Sequence, residues 1–520
     1  MTLENTRNEK IDSIFASQKA YFASEETRNV KFRKKQLKTL LAAMEKHEQA
    51  LADALWTDLH KSYEEAYLTE LSLVKAEIRQ AIKKTSRWAR RERKASPVTI
   101  FGSKSYVVKE PLGCSLIVSP WNYPVQLLLN PLVGAIAAGC TAVLKPSPYV
   151  PHVSQAIEAM ISEAFEEKYI AVVQGNREVN KKLFGMKWDM IFFTGSPALA
   201  RNVAKAAADN LVPMVLELGG KSPCIIDKSA NLDLAALRCA WGKTLNAGQT
   251  CIAPDYILIH KDVKEEFVKK FAESIKKLHG EEIKESRHYV RMVTDKAFER
   301  VASYIGEGKV LYGGRTDERE RFIEPTLLGD VKEGADVLTT EIFGPVFPMI
   351  EFDGQGFEDK VVKYITEREK PLALYYFGNE KDGWKIIRRT SSGGACINDT
   401  IMHIANPNVP FGGVGNSGMG SYHGVLSFEA FSHKRSVVAT PTLFDLPFRY
   451  MPYKTFGMVK KLVEEAAVKK IPPPDKQPVA EFLFYPFQSF SLYFLADGMK
   501  SSASVYMGSL PLSSSRYPRM

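Results

Sequence analysis

A regular alternation of short apolar runs and helix-forming segments between residues 114 and 218 constrains the fold of this chain most strongly. The apolar runs begin at Cys114, Thr141, Tyr169, Met190 and Val212. Longer segments that favour helices separate the runs, and this alternation is typical of a parallel sheet covered by helices. The sequence therefore predicts an α/β fold with a doubly wound sheet in its first half.

Polar or small residues follow several of these predicted strands. Asn122 lies in the turn after the first strand, Lys145 ends the second, and Gly195 and Ser196 follow the fourth. Open parallel sheets bind ligands at the carboxyl ends of their strands. We therefore expect a nucleotide at this edge of the sheet.

Cys251 stands in a loop-forming stretch, residues 246–254, among small residues and before Pro254. Gly248 allows the backbone to approach a ligand closely, and the proline fixes a turn. This context favours a thiol presented to a ligand. The alternative is a packed thiol, because free cysteine is among the residue types most often buried.

Glu217 directly follows the apolar run that begins at Val212. A carboxylate at the end of a buried strand is costly to keep ionised, so its pKa can rise and the group can act as a general base. A salt bridge to Lys221 is the structural alternative. Asn122 could likewise donate its amide to a developing oxyanion or simply form the turn.

Two further stretches bear on the site. Glu341 precedes Ile342-Phe343-Gly344-Pro345 and could accept hydrogen bonds from sugar hydroxyls. The glycines at 413, 415 and 418 match a dinucleotide fingerprint, but no strand precedes them and no helix clearly follows. We interpret this stretch as a tight loop, because the fingerprint needs that context.

Composition excludes several functional classes. The 520 residues predict two or three domains. The net charge of +10 comes from basic residues interspersed with acidic ones, which argues against a nucleic-acid partner. The six cysteines lack CxxC spacing, so we expect no metal site. Their scattered positions and the absence of an apolar signal segment indicate a reducing, cytoplasmic setting.

The C-terminal region is unusual in composition. Residues 442–470 favour a helical extension, and residues 482–495 are aromatic and apolar. The apolar run is shorter than the ~20 residues that a membrane span needs. We favour a partly disordered tail over membrane contact.

In combination, six stretches resemble the aldehyde dehydrogenase family in the family's order, over roughly residues 10–440. They are Pro120-Trp121-Asn122-Tyr123-Pro124, Lys145-Pro146-Ser147, Phe193-Thr194-Gly195-Ser196, Glu217-Leu218-Gly219-Gly220-Lys221-Ser222-Pro223, Gly248-Gln249-Thr250-Cys251 and Glu341-Ile342-Phe343-Gly344-Pro345. Residues 410–415, 417–424 and 431–433 resemble the class-three branch, which includes fatty and aromatic aldehyde dehydrogenases.

The resemblance implies a role for each matching residue. Cys251 would attack the aldehyde, the Asn122 side chain and the Cys251 backbone amide would hold the oxyanion, and Glu217 would activate water. The implied cofactor ligands are Lys145 for the adenosine ribose, Gly195 and Ser196 for the diphosphate, Glu341 for the nicotinamide ribose, with Leu218 and Phe343 packing nearby. Many relatives carry glutamate where this chain has Pro148, so NAD and NADP both stay open.

The resemblance also implies a domain organisation and a partner. It gives an NAD(P)-binding domain at 1–96 and 110–217, a catalytic domain at 218–405, an oligomerisation arm at 97–109 and 406–440, and an extension at 441–520. In a homodimer, the arm would pair with the 406–438 region of a partner chain. The substrates would be medium or long aliphatic, or aromatic, aldehydes.

Two other functions stay open at this point. A CoA-acylating dehydrogenase would pass the thioester to a thiol, and a water-activating Glu217 argues against it. An inactive binding protein of the same fold would not need Cys251, Glu217 and Asn122 together.

Overall fold

The computed structural model describes residues 3–468 in two compact units, one formed by 3–94 with 105–438 and the other by 95–104 with 439–468. The helices are α1 Asn8–Ala23, α2 Val30–Lys46, α3 Glu48–Leu59, α4 Tyr63–Ala66, α5 Ser72–Trp88, α6 Gln126–Ala138, α7 Pro151–Ala164, α8 Arg177–Phe184, α9 Pro197–Asp209, α10 Leu232–Thr244, α11 Lys264–His279, α12 Asp295–Ser303, α13 Asp336–Thr339, α14 Phe357–Thr366, α15 Glu380–Arg389, α16 Val425–Ala430 and α17 Phe456–Val468.

The strands alternate with these helices through most of the first unit. They are β1 Glu92–Lys94, β2 Lys104–Pro111, β3 Cys114–Val118, β4 Thr141–Lys145, β5 Ile170–Val172, β6 Met190–Gly195, β7 Met214–Leu218, β8 Pro223–Ile226, β9 Tyr256–His260, β10 Lys309–Tyr312, β11 Thr316–Asp317, β12 Phe322–Ile323, β13 Thr326–Gly329, β14 Val346–Phe352, β15 Ala373–Phe377, β16 Gly394–Ile397, β17 Gly418–Met419 and β18 Ser432–Ala439.

The five apolar runs of the first half form strands β3 to β7. These strands and β17 make one six-stranded sheet in the order β17-β7-β6-β3-β4-β5. Strands β3 to β7 are parallel, and β17 adds an antiparallel edge beside β7. This arrangement confirms the predicted α/β fold. One detail differs: β7 extends through Leu218, so Glu217 lies within the strand and not after it.

Helix α6 lies between this sheet and the N-terminal helices α2 and α5, whereas α1 contacts β3 and β4 directly. Every residue of α6 is buried, as expected for a helix that is apolar around its whole circumference. It packs against β3 and β4 on one side and against α2, α5 and α16 on others. The last of the N-terminal helices, α5, ends at Trp88, and residues 92–94 form β1.

A second sheet has the order β10-β13-β14-β9-β8-β15-β16, and all its neighbours are parallel except β10 and β13. Helices α10 and α11 pack against each other in this half of the unit. The sheet follows Gly219 and Gly220 in sequence, so the chain passes from one sheet to the other next to Glu217. The domain boundaries drawn from the sequence stay a prediction.

The segment predicted as an arm for a partner chain pairs within its own chain. Strand β2 lies between β1 and β18 in a three-stranded sheet. From Lys104 onward, this segment pairs with residues 432–439 of its own chain; the expected pairing with a partner chain stays a prediction. The glycine-rich stretch at 413–418 forms a 3₁₀ turn that leads into β17, in agreement with the tight loop predicted there.

The second unit consists of short segments and one helix. Phe101 packs on Phe444 with ring centroids 6.4 Å apart, and α17 is its longest element. Within residues 3–468, no helix is long and apolar enough to cross a membrane. The apolar run at 482–495 and the rest of the predicted disordered tail lie outside the described residues.

Candidate active site

One cavity of about 1270 Å³ brings most of the predicted site residues together. Its walls include Asn122, Gly195, Ser196, Glu217, Leu218, Cys251, Glu341 and Phe343. Trp121, Thr194 and Gly219 also line it. Lys145 is not among the described residues on its walls.

Cys251 is partly exposed at the end of an unusual turn. After α10, the backbone passes through the left-handed region at Asn246, Ala247 and Gly248, with φ values of 51°, 50° and 72°. A Cβ atom on Gly248 would lie 2.3 Å from the carbonyl oxygen of Gly344. Glycine at this position therefore lets the turn before Cys251 pack directly on the segment after Glu341.

Two tyrosine hydroxyls fix the neighbours of Cys251. The hydroxyl of Tyr123 shares a hydrogen bond of 2.7 Å with that of Thr250. Tyr375 donates its hydroxyl to the carbonyl oxygen of Ile252 at 2.5 Å. The nucleophile candidate thus stands between two anchored residues.

The electrostatic environment of Cys251 disfavours the thiolate. Burial, followed by the negative charges of Glu341 and Glu217, raises the pKa of the Cys251 thiol to about 12. The thiol is therefore protonated near neutral pH in the protein alone, and its activation requires a base or a nearby positive charge.

Glu217 lies on β7 with only 3% of its surface exposed. Neither carboxylate oxygen has a hydrogen-bond partner among the described residues. Burial raises the pKa of Glu217 well above its usual value. Its predicted alternative partner, Lys221, instead forms an ion pair with Asp255.

Asn122 is buried in the turn between β3 and α6. Its side-chain nitrogen donates to the carbonyl oxygen of Gln249 at 3.0 Å, and its side-chain oxygen has no partner among the described residues. The amide that was predicted to hold an oxyanion is thus directed to the backbone two residues before Cys251.

Glu341 and Gly219 form a second part of the cavity wall. The carboxylate of Glu341 accepts the backbone N–H of Gly220 at 3.0 Å. Burial raises the pKa of Glu341 to about 8. A Cβ atom on Gly219 would lie 2.3 Å from the carboxylate oxygens of Glu341, so only glycine leaves this carboxylate in place.

Phe343 follows in a strained conformation with φ of 49°. Its ring packs edge-on against Trp121, with centroids 5.4 Å apart. Non-glycine residues rarely adopt positive φ, and such strain often marks a functional segment. The contact joins the Glu341 segment to the Asn122 turn.

The remaining predicted ligands lie at two strand ends. Ser196 caps α9 by accepting the N–H of Leu199 at 3.4 Å, next to Gly195 at the end of β6. Lys145 ends β4, is 1% exposed, and donates to the carbonyl oxygen of Pro146 at 2.7 Å. Burial lowers the pKa of Lys145 to about 8. Its role at the adenosine ribose stays a prediction.

The sequence analysis did not predict the charged residues that form hydrogen bonds with the Asn122 turn and the loop before Cys251. Lys61, Glu65 and Glu70 belong to the N-terminal helical region and contact residues far along the chain. A lysine and glutamates in a charged helical pattern resemble a solvated face, so the sequence contains no local signal for their burial.

In residues 3–468, no three His, Cys, Asp or Glu side chains are grouped to hold a metal ion.

Comparison with known proteins identifies the family of this chain. The model of the aldehyde dehydrogenase family matches residues 1–437. The chain is 42% identical over 447 residues to 4,4'-diaponeurosporen-aldehyde dehydrogenase of Staphylococcus aureus, covering 85% of this chain and 97% of that protein. It is 42% identical over 446 residues to the dimeric NADP-preferring aldehyde dehydrogenase of Canis lupus familiaris, covering 85% of this chain and 98% of that relative.

A solved structure extends the likeness to the fold. The substrate-bound state of Staphylococcus aureus AldH superposes with a TM-score of 0.85 at 41% identity, covering 87% of this chain and 99% of that one. The chain therefore belongs to the aldehyde dehydrogenase family, and it is an NAD(P)-dependent enzyme that oxidises aldehydes to carboxylic acids.

Proposed function

We propose that Cys251 is the nucleophile, Asn122 the oxyanion donor and Glu217 the base that activates water. The observation that carries the proposal is the shared cavity, which these three residues line together with Glu341. The unpartnered carboxylate of Glu217 supports its role, because its hydrogen-bonding capacity is free for a water molecule.

The residues that line the cavity are suited to binding a dinucleotide. Glu341 offers a carboxylate for ribose hydroxyls, Gly219 leaves it the necessary space, and Ser196 stands at the N-terminus of α9, where backbone amides favour a phosphate. Gly195, Leu218 and Phe343 would complete the cofactor site. When bound, NAD(P)⁺ accepts a hydride from the substrate and brings a positive charge that favours a nearby thiolate.

The chain's own residues account for the other steps. Cys251 first loses its thiol proton to solvent. The thiolate sulfur then attacks the aldehyde carbon, a C–S bond forms, and the carbonyl electron pair moves to oxygen. Asn122 and the backbone amide of Cys251 donate hydrogen bonds to that oxyanion. After loss of the hydride, a thioester links the acyl group to Cys251. Glu217 takes a proton from water, the resulting hydroxide attacks the thioester, and cleavage of the C–S bond releases the acid.

Replacing Cys251 tests this assignment directly. Cys251→Ala should form no NADH from hexanal above background, because the proposed reaction needs a thiol and Cys251 is the one cysteine among the described residues that line the cavity. Cys396→Ala is a matched control, since Cys396 is also partly exposed but is not on the cavity wall. Wild-type activity in Cys251→Ala would refute the mechanism.

We propose further that the enzyme accepts NADP as well as NAD. Pro148 stands where a carboxylate would repel a 2′-phosphate, and one relative is described as NADP-preferring. The preferred substrates are medium or long aliphatic, or aromatic, aldehydes. Steady-state kinetics with an aldehyde panel and both cofactors tests both statements; a kcat/KM for NADP below 1% of that for NAD would reject dual use.

We also propose an oligomeric state and a cellular location for the enzyme. A homodimer is supported by the dimeric relative, and a cytoplasmic location by the scattered free cysteines. Mass measurement in solution and cell fractionation test these two proposals. A monomer at micromolar concentration would contradict the first.

CoA-dependent acylation is the competing outcome at the last step. An unpartnered Glu217 favours water as the acceptor. Product analysis with and without CoA separates the two reactions: an acyl-CoA product would overturn the hydrolytic assignment.

A further inference from the structure

Two fully buried charges lie beneath the turn that carries Asn122. Lys61 and Glu70 are both 0% exposed, and the lysine Nζ atom lies 2.8 Å from the glutamate Oε1 atom. Desolvation makes a buried ion pair a poor source of stability, and a well-packed apolar pair of similar size often serves as well. The pair therefore calls for an explanation in terms of what it contacts.

Both members of the pair bind the segment from Asn122 to Gln126. Lys61 donates from Nζ to the carbonyl oxygen of Asn122 at 3.1 Å, and the same atom lies 4.3 Å from the centroid of the Tyr123 ring. Glu70 accepts the backbone N–H groups of Val125 at 2.9 Å and Gln126 at 3.2 Å. These contacts fix both ends of the turn.

The contacts of Glu70 have a structural purpose that those of Lys61 lack. Helix α6 begins at Gln126, and Val125 makes no side-chain cap. A carboxylate from another element therefore satisfies free N–H groups at the start of the helix and complements its dipole. Lys61, in contrast, binds the carbonyl of Asn122, four residues before that helix starts.

The backbone around Glu70 also departs from regular α-helical geometry. Residues Tyr67–Leu71 form a π-helical turn between α4 and α5. Such turns are rare and frequently lie at functional sites. Here the turn includes Glu70, which reaches the Asn122 segment.

The same carbonyl of Asn122 connects the turn to the nucleophile loop. Asn246 donates its side-chain nitrogen to the Asn122 carbonyl at 2.9 Å and to the Gln249 carbonyl at 3.0 Å. Glu65 accepts the backbone N–H of Asn246 at 2.8 Å. Charged groups of one short N-terminal segment therefore hold both the predicted oxyanion donor and the loop before Cys251.

We propose that Lys61 and Glu70 are positioning residues that set the Asn122 amide for the oxyanion. This inference rests on the proposed role of Asn122. Neither charged group lines the cavity, so the pair acts through the backbone of the turn. A displacement of about 1 Å in a catalytic group can lower a rate about 100-fold, so small shifts of the turn matter.

The principal test removes both charges together, because removal of one alone would leave the other buried without a partner. Lys61→Met/Glu70→Gln keeps similar volumes and keeps an oxygen acceptor for Val125 and Gln126. We expect kcat per cofactor-binding site to fall roughly 10- to 100-fold. The KM for NAD(P) should change less than about twofold, because the cofactor ligands lie elsewhere on the cavity wall.

A double-mutant cycle with Asn122→Ala separates positioning from general damage. If the pair acts through Asn122, adding Lys61→Met/Glu70→Gln to Asn122→Ala should change kcat less than about twofold. Independent effects would multiply instead. Lys61→Gln/Glu70→Gln is a second variant that leaves no buried charge and keeps polar groups at both positions; its decrease in kcat should also disappear in the Asn122→Ala background.

Lys75→Met/Glu48→Gln is the matched control. Lys75 is also buried, and its ion pair with Glu48 joins α5 to α3 in the same helical region without contacting the Asn122 turn. We expect an unchanged kcat per cofactor-binding site.

The outcomes distinguish the two levels of the proposal. Wild-type kcat in Asn122→Ala would overturn the oxyanion role and, with it, the inference. A strong decrease in Asn122→Ala, combined with no effect or a multiplicative effect of both pair variants, would overturn the positioning role alone. If Lys61→Met/Glu70→Gln fails to bind cofactor, the cycle with Lys61→Gln/Glu70→Gln decides between the same results.

Discussion

The missing side chain at Gly219 gives the carboxylate of Glu341 its place in the cavity. The atoms that a Cβ would meet are the ends of a flexible side chain. A substitution there can therefore be accommodated by movement of Glu341 without disturbing the backbone. We therefore expect a substitution at residue 219 to affect cofactor binding more than folding.

Gly219→Ala should raise the KM for NAD(P) about 10-fold, the effect of losing ~1.4 kcal/mol of binding, while the melting temperature changes little. Gly220→Ala is the matched control, since a Cβ there would meet its nearest atom at 3.4 Å, an ordinary contact. Cofactor titration and thermal unfolding of both variants check the prediction. An unchanged KM in Gly219→Ala would show that Glu341 does not hold the cofactor.

Glu217 should impose a pH dependence on stability. Burial raises its folded-state pKa well above the usual 4.5, so the folded protein retains a proton that the unfolded chain loses. Stability from this group is complete below pH 4.5 and decreases as the pH rises toward the folded pKa. Glu217→Gln, which cannot ionise, should therefore gain stability relative to wild type between pH 5 and pH 8.

Denaturant unfolding of wild type and Glu217→Gln across that pH range measures the effect. The activity should move in the opposite direction: water activation needs the ionised carboxylate, so wild-type turnover should rise with pH while Glu217→Gln stays inactive. A stability difference that does not change with pH would contradict the raised pKa.

At the scale of elements, the left-handed turn at residues 246–248 decides how the Cys251 loop meets the segment after Glu341. Gly248→Ala should destabilise the protein by at least ~2 kcal/mol, because positive φ costs an L-residue ~1–2 kcal/mol and the new Cβ would collide with a backbone carbonyl. Activity should fall with it. Gly306→Ala, whose Cβ would meet nothing within 4 Å, is the control and should retain stability and activity.

The same scale shows what the sequence could predict. Apolar runs located the first residues of β3, β4 and β6 and placed β7 two residues too early, because buried parallel strands are continuous apolar segments. Conversely, the two-residue strand β17 has no periodicity to detect. The burial of the Lys61–Glu70 pair could not be predicted either, because it depends on a turn that lies far along the chain.

At the scale of the whole molecule, the residues that line the cavity extend only from Pro120 to Asn416. A variant that lacks residues 469–520 should therefore keep the kcat and KM of the full chain for hexanal. A variant that ends at Pro410 loses β17 and α16 and should fail to fold, because α6 and β7 lose their neighbours. Loss of hexanal oxidation in the longer variant would assign the tail a part in catalysis.

Strand β17 has a consequence for protein synthesis. Gly418 pairs with Glu217 itself, although the ribosome makes the two residues at very different times. Domains generally begin to fold from the N-terminal end during translation, yet this sheet lacks its edge strand until residue 419 has left the ribosomal tunnel. The nascent chain therefore carries Glu217 on an open edge of the sheet until residues 418 and 419 have emerged and paired with β7.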